Sequence, residues 1–121
     1  MTAVFTAAVV QIGSIPTDPL ATAVKAAAKL REAAANGARL VVFPEALIGG
    51  YPKGASFGAP IGMRKPEGRD AFARYHAAAI DLDGPEVALL AAATAETGCF
   101  AVIGVIERDG AEIGRVPAQP K

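Results

Sequence analysis

Glu45 stands two positions beyond an apolar run, in the stretch VVFPEALIGGYPKG (residues 41–54). A carboxylate at such a place is costly to bury unless it has a partner or a task. One task is proton transfer. A carboxylate aimed by a rigid element, with a pKa tuned by partial burial, can serve as general base or acid. The blander reading is a surface carboxylate, or one that caps nearby backbone amides. The residue types alone leave both open. Cys99 is the obvious nucleophile to test beside it. It follows Gly98, precedes Phe100, and has no neighbour in sequence that would lower its pKa as a reactive thiolate requires. It reads as a small buried hydrophobe. His76 falls on the apolar side of a helical pattern and reads as a packed or hydrogen-bonded side chain. Arg64, Lys65, Arg69 and Arg74 form a loose basic patch that solvation, or pairing with Glu67 and Asp70, explains. Gly13, Gly49, Gly50 and Gly54 build no phosphate-binding loop, because no GxGxxG or GxxxxGK[ST] run opens a helix.

The elements that must position Glu45 can be read on either side of it. VFTAAVVQI (Val4 to Ile12) is short, apolar and rich in β-branched residues, which predicts a buried strand. TDPLATAVKAAAKLREAAANG predicts a helix. Thr17 or Asp18 caps it, Pro19 sits in its first turn, and Gly37 closes it. Its inward stripe is read as Leu20, Val24, Ala27, Leu30 and Ala34. ARLVVF (Ala38 to Phe43) is a second buried strand, so the three segments form a β-α-β unit with parallel strands. In an open α/β sheet, chemistry lies beyond the carboxyl ends of the strands, and Glu45 is at such an end.

Pro44 to Gly68 is dense in glycine and proline, and long for a connection inside a compact domain; such loops are functional or disordered. Tyr51, Phe57, Ile61 and Met63 favour an ordered loop that packs on something. RDAFARYHAAAI then predicts a helix with Phe72, Tyr75, His76, Ala79 and Ile80 on one face. DLDGPEVALLAAATAETG predicts another, begun by Pro85 and ended by Gly98, with Val87, Leu90, Ala91 and Thr94 inward. CFAVIGVIE (Cys99 to Glu107) is a third strand. Asp109-Gly110 then announces a hairpin. The following AEIGRVPAQPK shows no alternation and carries two prolines, so a polar tail is expected there instead of a fourth strand.

Composition narrows the function classes. The 121 residues suffice for one domain with a modest core, much of it alanine. Twelve basic residues balance twelve acidic ones with no long basic run, which argues against nucleic acid or an anionic membrane as partner. A single cysteine allows no intrachain disulfide, and a single histidine argues against a metal centre built from imidazoles. No apolar run approaches the ~20 residues of a membrane span. The N-terminus lacks the basic start and the cleavage site of a signal peptide, so a cytoplasmic protein is the expectation.

Taken together, VVFPEALIGGYPKG, FGAPIGMRKPEGRDAFARYHAAAIDLDGPE and GCFAVIGVIERDG resemble the N-terminal part of the nitrilase branch of the carbon–nitrogen hydrolase superfamily. The FPE tripeptide alone would suggest only the superfamily. The GGYPKG continuation and the VIGVIERDG strand make the branch more specific. The resemblance covers Val4 to Gly110. It implies an α/β fold, the N-terminal portion of an α-β-β-α sandwich in which two sheets pack face to face with helices outside. It also implies a partial carbon–nitrogen hydrolase domain over residues 1–110 and a non-matching tail over 111–121. The implied mechanism uses a glutamate, a lysine and a cysteine, needs no cofactor, and converts a small nitrile to a carboxylic acid and ammonia. Glu45 matches the catalytic glutamate, and Tyr51 matches a tyrosine near the substrate. Cys99 does not match the family nucleophile, and Lys121 stands in no matching motif.

Three hypotheses arise. In the first, the chain is a nitrilase portion that ends early through a frameshift or stop after Gly110, and by itself it is inactive. In the second, it is a binding protein that forms a homo-oligomer or associates with a full-length nitrilase or a complementary chain, because incomplete sheets leave open edges and an uncovered apolar face. In the third, disfavoured by GGYPKG, it is an amidase-type member of the superfamily.

Overall fold

The structure is a computed structural model and describes residues 3–50, 66–109 and 112–116. Its elements run β1 (Thr6–Val9), α1 (Pro19–Ala35), β2 (Ala38–Val42), α2 (Pro66–Ala77), α3 (Pro85–Thr97), β3 (Phe100–Val102), β4 (Val105–Asp109) and β5 (Glu112–Val116). β1, β2 and β3 form a parallel sheet in that order. The expected β-α-β unit is present.

α1 starts where a side chain can take up an orphan amide. Asp18 Oδ1 accepts from the Ala21 N–H at 3.0 Å, and Pro19 fills the first turn. The helix ends at Asn36, whose N–H reaches back to the carbonyls of Glu32 and Ala33. Its buried stripe is Thr22, Ala23, Ala26, Ala27 and Leu30. The expected stripe is corrected on this point: Leu20 and Val24 are 45% and 52% exposed. α1 packs on α3 as well as on the sheet, and its alanine side allows the closer approach. Arg31 and Glu96 pair across the two helices at 2.8 Å.

α3 begins at Pro85 and ends at Gly98, which takes the left-handed conformation at φ 72° and donates its N–H to the Thr94 carbonyl. It buries Glu86, Leu90 and Ala93, with Val87 half-buried, while Ala91 faces out. α2 has the predicted length of 12 residues but lies three residues earlier in the chain than the pattern predicts. It stops at Ala77, and Ile80 lies outside it in a parallel bridge to Glu107 of β4.

Pleating divides the sheet into two faces. Ala8, Val41 and Ala101 stand in register on the face packed against α1 and α3. The other face carries the rows Ala7–Leu40–Phe100 and Val9–Val42–Val102. There Val9 and Phe100 are each 74% exposed and Val102 46%. This layer is α/β and one-sided.

Two expectations about the third strand fail. Cys99 to Glu107 is not one strand: it breaks at Ile103–Gly104 into β3 and β4. The polar tail after the turn is also corrected. β5 pairs antiparallel with β4, from Val105↔Val116 to Asp109↔Glu112. A ladder is made by backbone groups, so alternation is not required, and both prolines fall after Val116. The hairpin removes the reason for treating the segment after Gly110 as foreign to the fold.

Candidate active site

Beyond β2 the chain rises into an arch, Pro44 to Ile48. The last rung of the sheet is the Phe43 N–H to the Val102 carbonyl at 2.8 Å. Both feet of the arch then stand on one residue. Gly104 donates its N–H to the Pro44 carbonyl at 3.4 Å and accepts the Ile48 N–H at 3.1 Å. Ile106 continues the pairing by donating to the Ile48 carbonyl at 2.8 Å. Within the arch, Ala46 has φ 52°, a left-handed value uncommon for a residue with a Cβ, and its carbonyl accepts from the Gly50 N–H at 3.0 Å. The Ser14 hydroxyl donates to the Leu47 carbonyl at 2.6 Å from the loop after β1.

Burial follows the same division. Ala46, Leu47 and Ile48 are buried, and Glu45 is exposed. Leu47 and Ile48 enter the main core, while Ala46 packs with Ala79, Ile106 and Tyr75. The arch is thus anchored by the residues after Glu45 and leaves the carboxylate outward. The partial burial expected for Glu45 is not present, because its neighbours fill the core side.

Arg108 fixes the other border. Its Nε donates to the His76 carbonyl at 3.2 Å, and its Nη2 donates to the carbonyls of Ala77, at 3.0 Å, and of Ala79. Nη1 lies 3.6 Å from Asp81. The guanidinium satisfies carbonyls at the end of α2 and holds the Ala79–Ile80 segment on β4. His76 is half-buried here.

Cys99 has no part in this site. It is 6% exposed, lies in the core, and donates its S–H to the Ala38 carbonyl at 3.0 Å. Ala38 begins β2 and Glu45 follows its end, a separation of roughly 20 Å at the usual rise per residue. Tyr51, Gly54, Arg64 and Lys65 lie outside the described residues. Sequence reasoning missed Ser14, Gly104 and Arg108 as supports of the site. Only Gly104 carried a signal, since an isolated glycine inside a strand pattern marks a bulge or a close backbone approach. Among the described residues, no group of His, Cys, Asp or Glu could hold a metal ion, and no helix is long and apolar enough to cross a membrane.

A parallel sheet with helices against it is consistent with the incomplete α/β fold that the resemblance implies, and comparison with known proteins supports the family. Residues 6–117 match the carbon–nitrogen hydrolase family, and the chain belongs to it. It is 68% identical over 105 residues to a nitrilase of Bradyrhizobium diazoefficiens, covering 87% of this chain and 33% of that one. It is 57% identical over 106 residues to an aliphatic nitrilase of Sinorhizobium fredii, covering 88% and 34%. Against a bifunctional nitrilase/nitrile hydratase of Nicotiana tabacum it is 56% identical over 104 residues, covering 86% and 30%. The chain thus spans about a third of the length of the curated relatives it matches.

Proposed function

We infer that this chain supplies the proton-transferring glutamate of a nitrile-hydrolysing enzyme, with Glu45 as that residue. The observation that carries the reading is the arch. It holds a carboxylate beyond the carboxyl end of the central strand, where α/β sheets place their chemistry. The relatives named above are nitrilases, which favours a nitrile over an amide as substrate.

In this reading a cysteine thiol adds across the C≡N bond. Glu45 takes the thiol proton, and the nitrile nitrogen receives a proton in turn. Water then adds, ammonia leaves, and a second water cleaves the thioester to the carboxylic acid. A lysine stabilises the negative charge that develops. The thiol and the lysine come from the part of the nitrilase length this chain does not span, on the same polypeptide or on another. Tyr51, outside the described residues, is assigned a substrate-binding role on the family resemblance alone.

The test is a graft. Residues 6–109 replace the matching segment of the Bradyrhizobium relative, and ammonia release from aliphatic and aromatic nitriles is measured. The graft should hydrolyse a nitrile, and Glu45→Gln should lower kcat by about a thousandfold, in the range of lost general acid–base catalysis. Undiminished turnover in Glu45→Gln would remove Glu45 from the chemistry. The 121-residue chain alone should release no ammonia.

A second reading is favoured by the uncovered rows at Val9, Phe100 and Val102. In it, the chain acts by associating with a complementary polypeptide that covers this face. Size-exclusion with and without a full-length nitrilase separates the two readings.

A further inference from the structure

We propose that Gly104 is the positioning residue for Glu45: the absence of a side chain there is what sets where the carboxylate is held. The inference rests on the reading of Glu45 given above, and deepens it. Gly104 bonds to both feet of the arch, the Pro44 carbonyl and the Ile48 N–H. The crown of the arch then descends onto its Cα. A Cβ built on Gly104 would fall against the Ala46 nitrogen, 2.8 Å from Glu45 Cα and 2.9 Å from the Glu45 carbonyl carbon. All three atoms are backbone, so no side-chain tip can swing aside to make room. The arch would have to lift, and Glu45 Cα would move with it.

Ala46 shows that the arch is held down. Its left-handed φ of 52° costs about 1 kcal/mol or more for a residue with a Cβ and persists only where the surroundings over-determine it. The surroundings are the two Gly104 bonds, the Ser14–Leu47 bond, and the burial of Ala46 against Ile106 and Ala79. The close approach also explains why the run from Cys99 to Glu107 breaks into two strands at Ile103–Gly104. At that point the strand pairs with an arch instead of a neighbour strand. Gly13 is the contrast, with nothing within 4 Å of a built Cβ.

The test uses the 121-residue chain and NMR. Two quantities are followed in the parent, Gly104→Ala and Gly13→Ala: hydrogen exchange at the Ile48 and Val10 amides, and titration of the Glu45 carboxyl carbon. In Gly104→Ala, exchange at Ile48 should rise at least about tenfold, while Val10, bonded to Val42 at 2.8 Å, keeps its protection. The Glu45 midpoint should move reproducibly away from the parent's, because the charges and dipoles around the carboxylate change when it is displaced. Gly13→Ala should match the parent in both.

If Gly104→Ala does not fold, the Gly104→Ala/Ala46→Gly double variant replaces it. Glycine at 46 carries no Cβ penalty and frees the arch to lift over the added methyl, so the Glu45 midpoint should still move, while Ala46→Gly alone should match the parent. An unmoved Glu45 midpoint in the folded variant overturns the proposal, whatever Ile48 does, since Gly104 would then support only the fold. None of these readouts involves nitrile hydrolysis. Failure here is therefore distinct from failure of the Glu45→Gln graft.

Discussion

Ser14 and Leu47 are joined by a 2.6 Å hydrogen bond from hydroxyl to carbonyl, although 33 positions separate them in sequence. The bond ties the loop after β1 to the arch after β2, so the two parallel strands are linked just beyond their carboxyl ends. Removing the hydroxyl leaves the buried Leu47 residue with a carbonyl that has lost its donor. Ser14→Ala should cost about 1 kcal/mol. Thermal unfolding should show a loss of about 5 °C. A variant as stable as the parent would mean that water replaces the hydroxyl without loss.

Arg108 serves three carbonyls from one guanidinium. Arg108→Ala should cost about 2 kcal/mol, as charge-assisted bonds are lost and carbonyls at the end of α2 are left unpaired. Arg108→Lys should recover less than half of that, because an ammonium cannot reproduce the planar fork. Urea denaturation of the two variants checks the order. Equal stability of Lys and Arg at this position would refute the fork argument.

How far these supports were legible in the sequence depends on the kind of signal. The β-α-β unit was legible, because capping at Asp18 and Pro19 and the apolar runs on either side are local chemistry. The position of Glu45 just beyond a strand end was legible too, because the apolar run and the proline that follows it are local signals. The stripes were misread where packing has two partners. α1 faces α3 as well as the sheet, so alanines displaced Leu20 and Val24 from the interior. The hairpin was misread because a ladder needs backbone groups and no proline, not alternation; Glu112–Val116 meets that condition. Ser14 and Arg108 were not legible, because their partners are main-chain carbonyls far away in sequence, and carbonyls leave no mark on residue type.

Cys99 should behave as a core residue. A thiol reagent should label the native chain at least about a hundredfold more slowly than the chain in guanidinium, since reaction must wait for opening. Fast labelling of the native state would contradict its burial at 6% exposure.

The uncovered face should tolerate charge. Phe100→Asp and Val102→Lys should each change the stability of the isolated chain by no more than about 0.5 kcal/mol, as for ordinary surface positions. They should also weaken any self-association seen by analytical ultracentrifugation, because exposed apolar patches promote it. A loss of about 2 kcal/mol in either variant would show that the isolated chain covers this face itself.

The supports of the arch have a temporal side. Every hydrogen bond described as holding it runs between residues 14 and 106. The parallel sheet pairs only strands that follow one another in the chain. A ribosome delivers residues in order, and domains made first can fold first. The seat of Glu45 is therefore complete once β4 has emerged. The arch is thus set before any residue that follows Val116 has to fold around it.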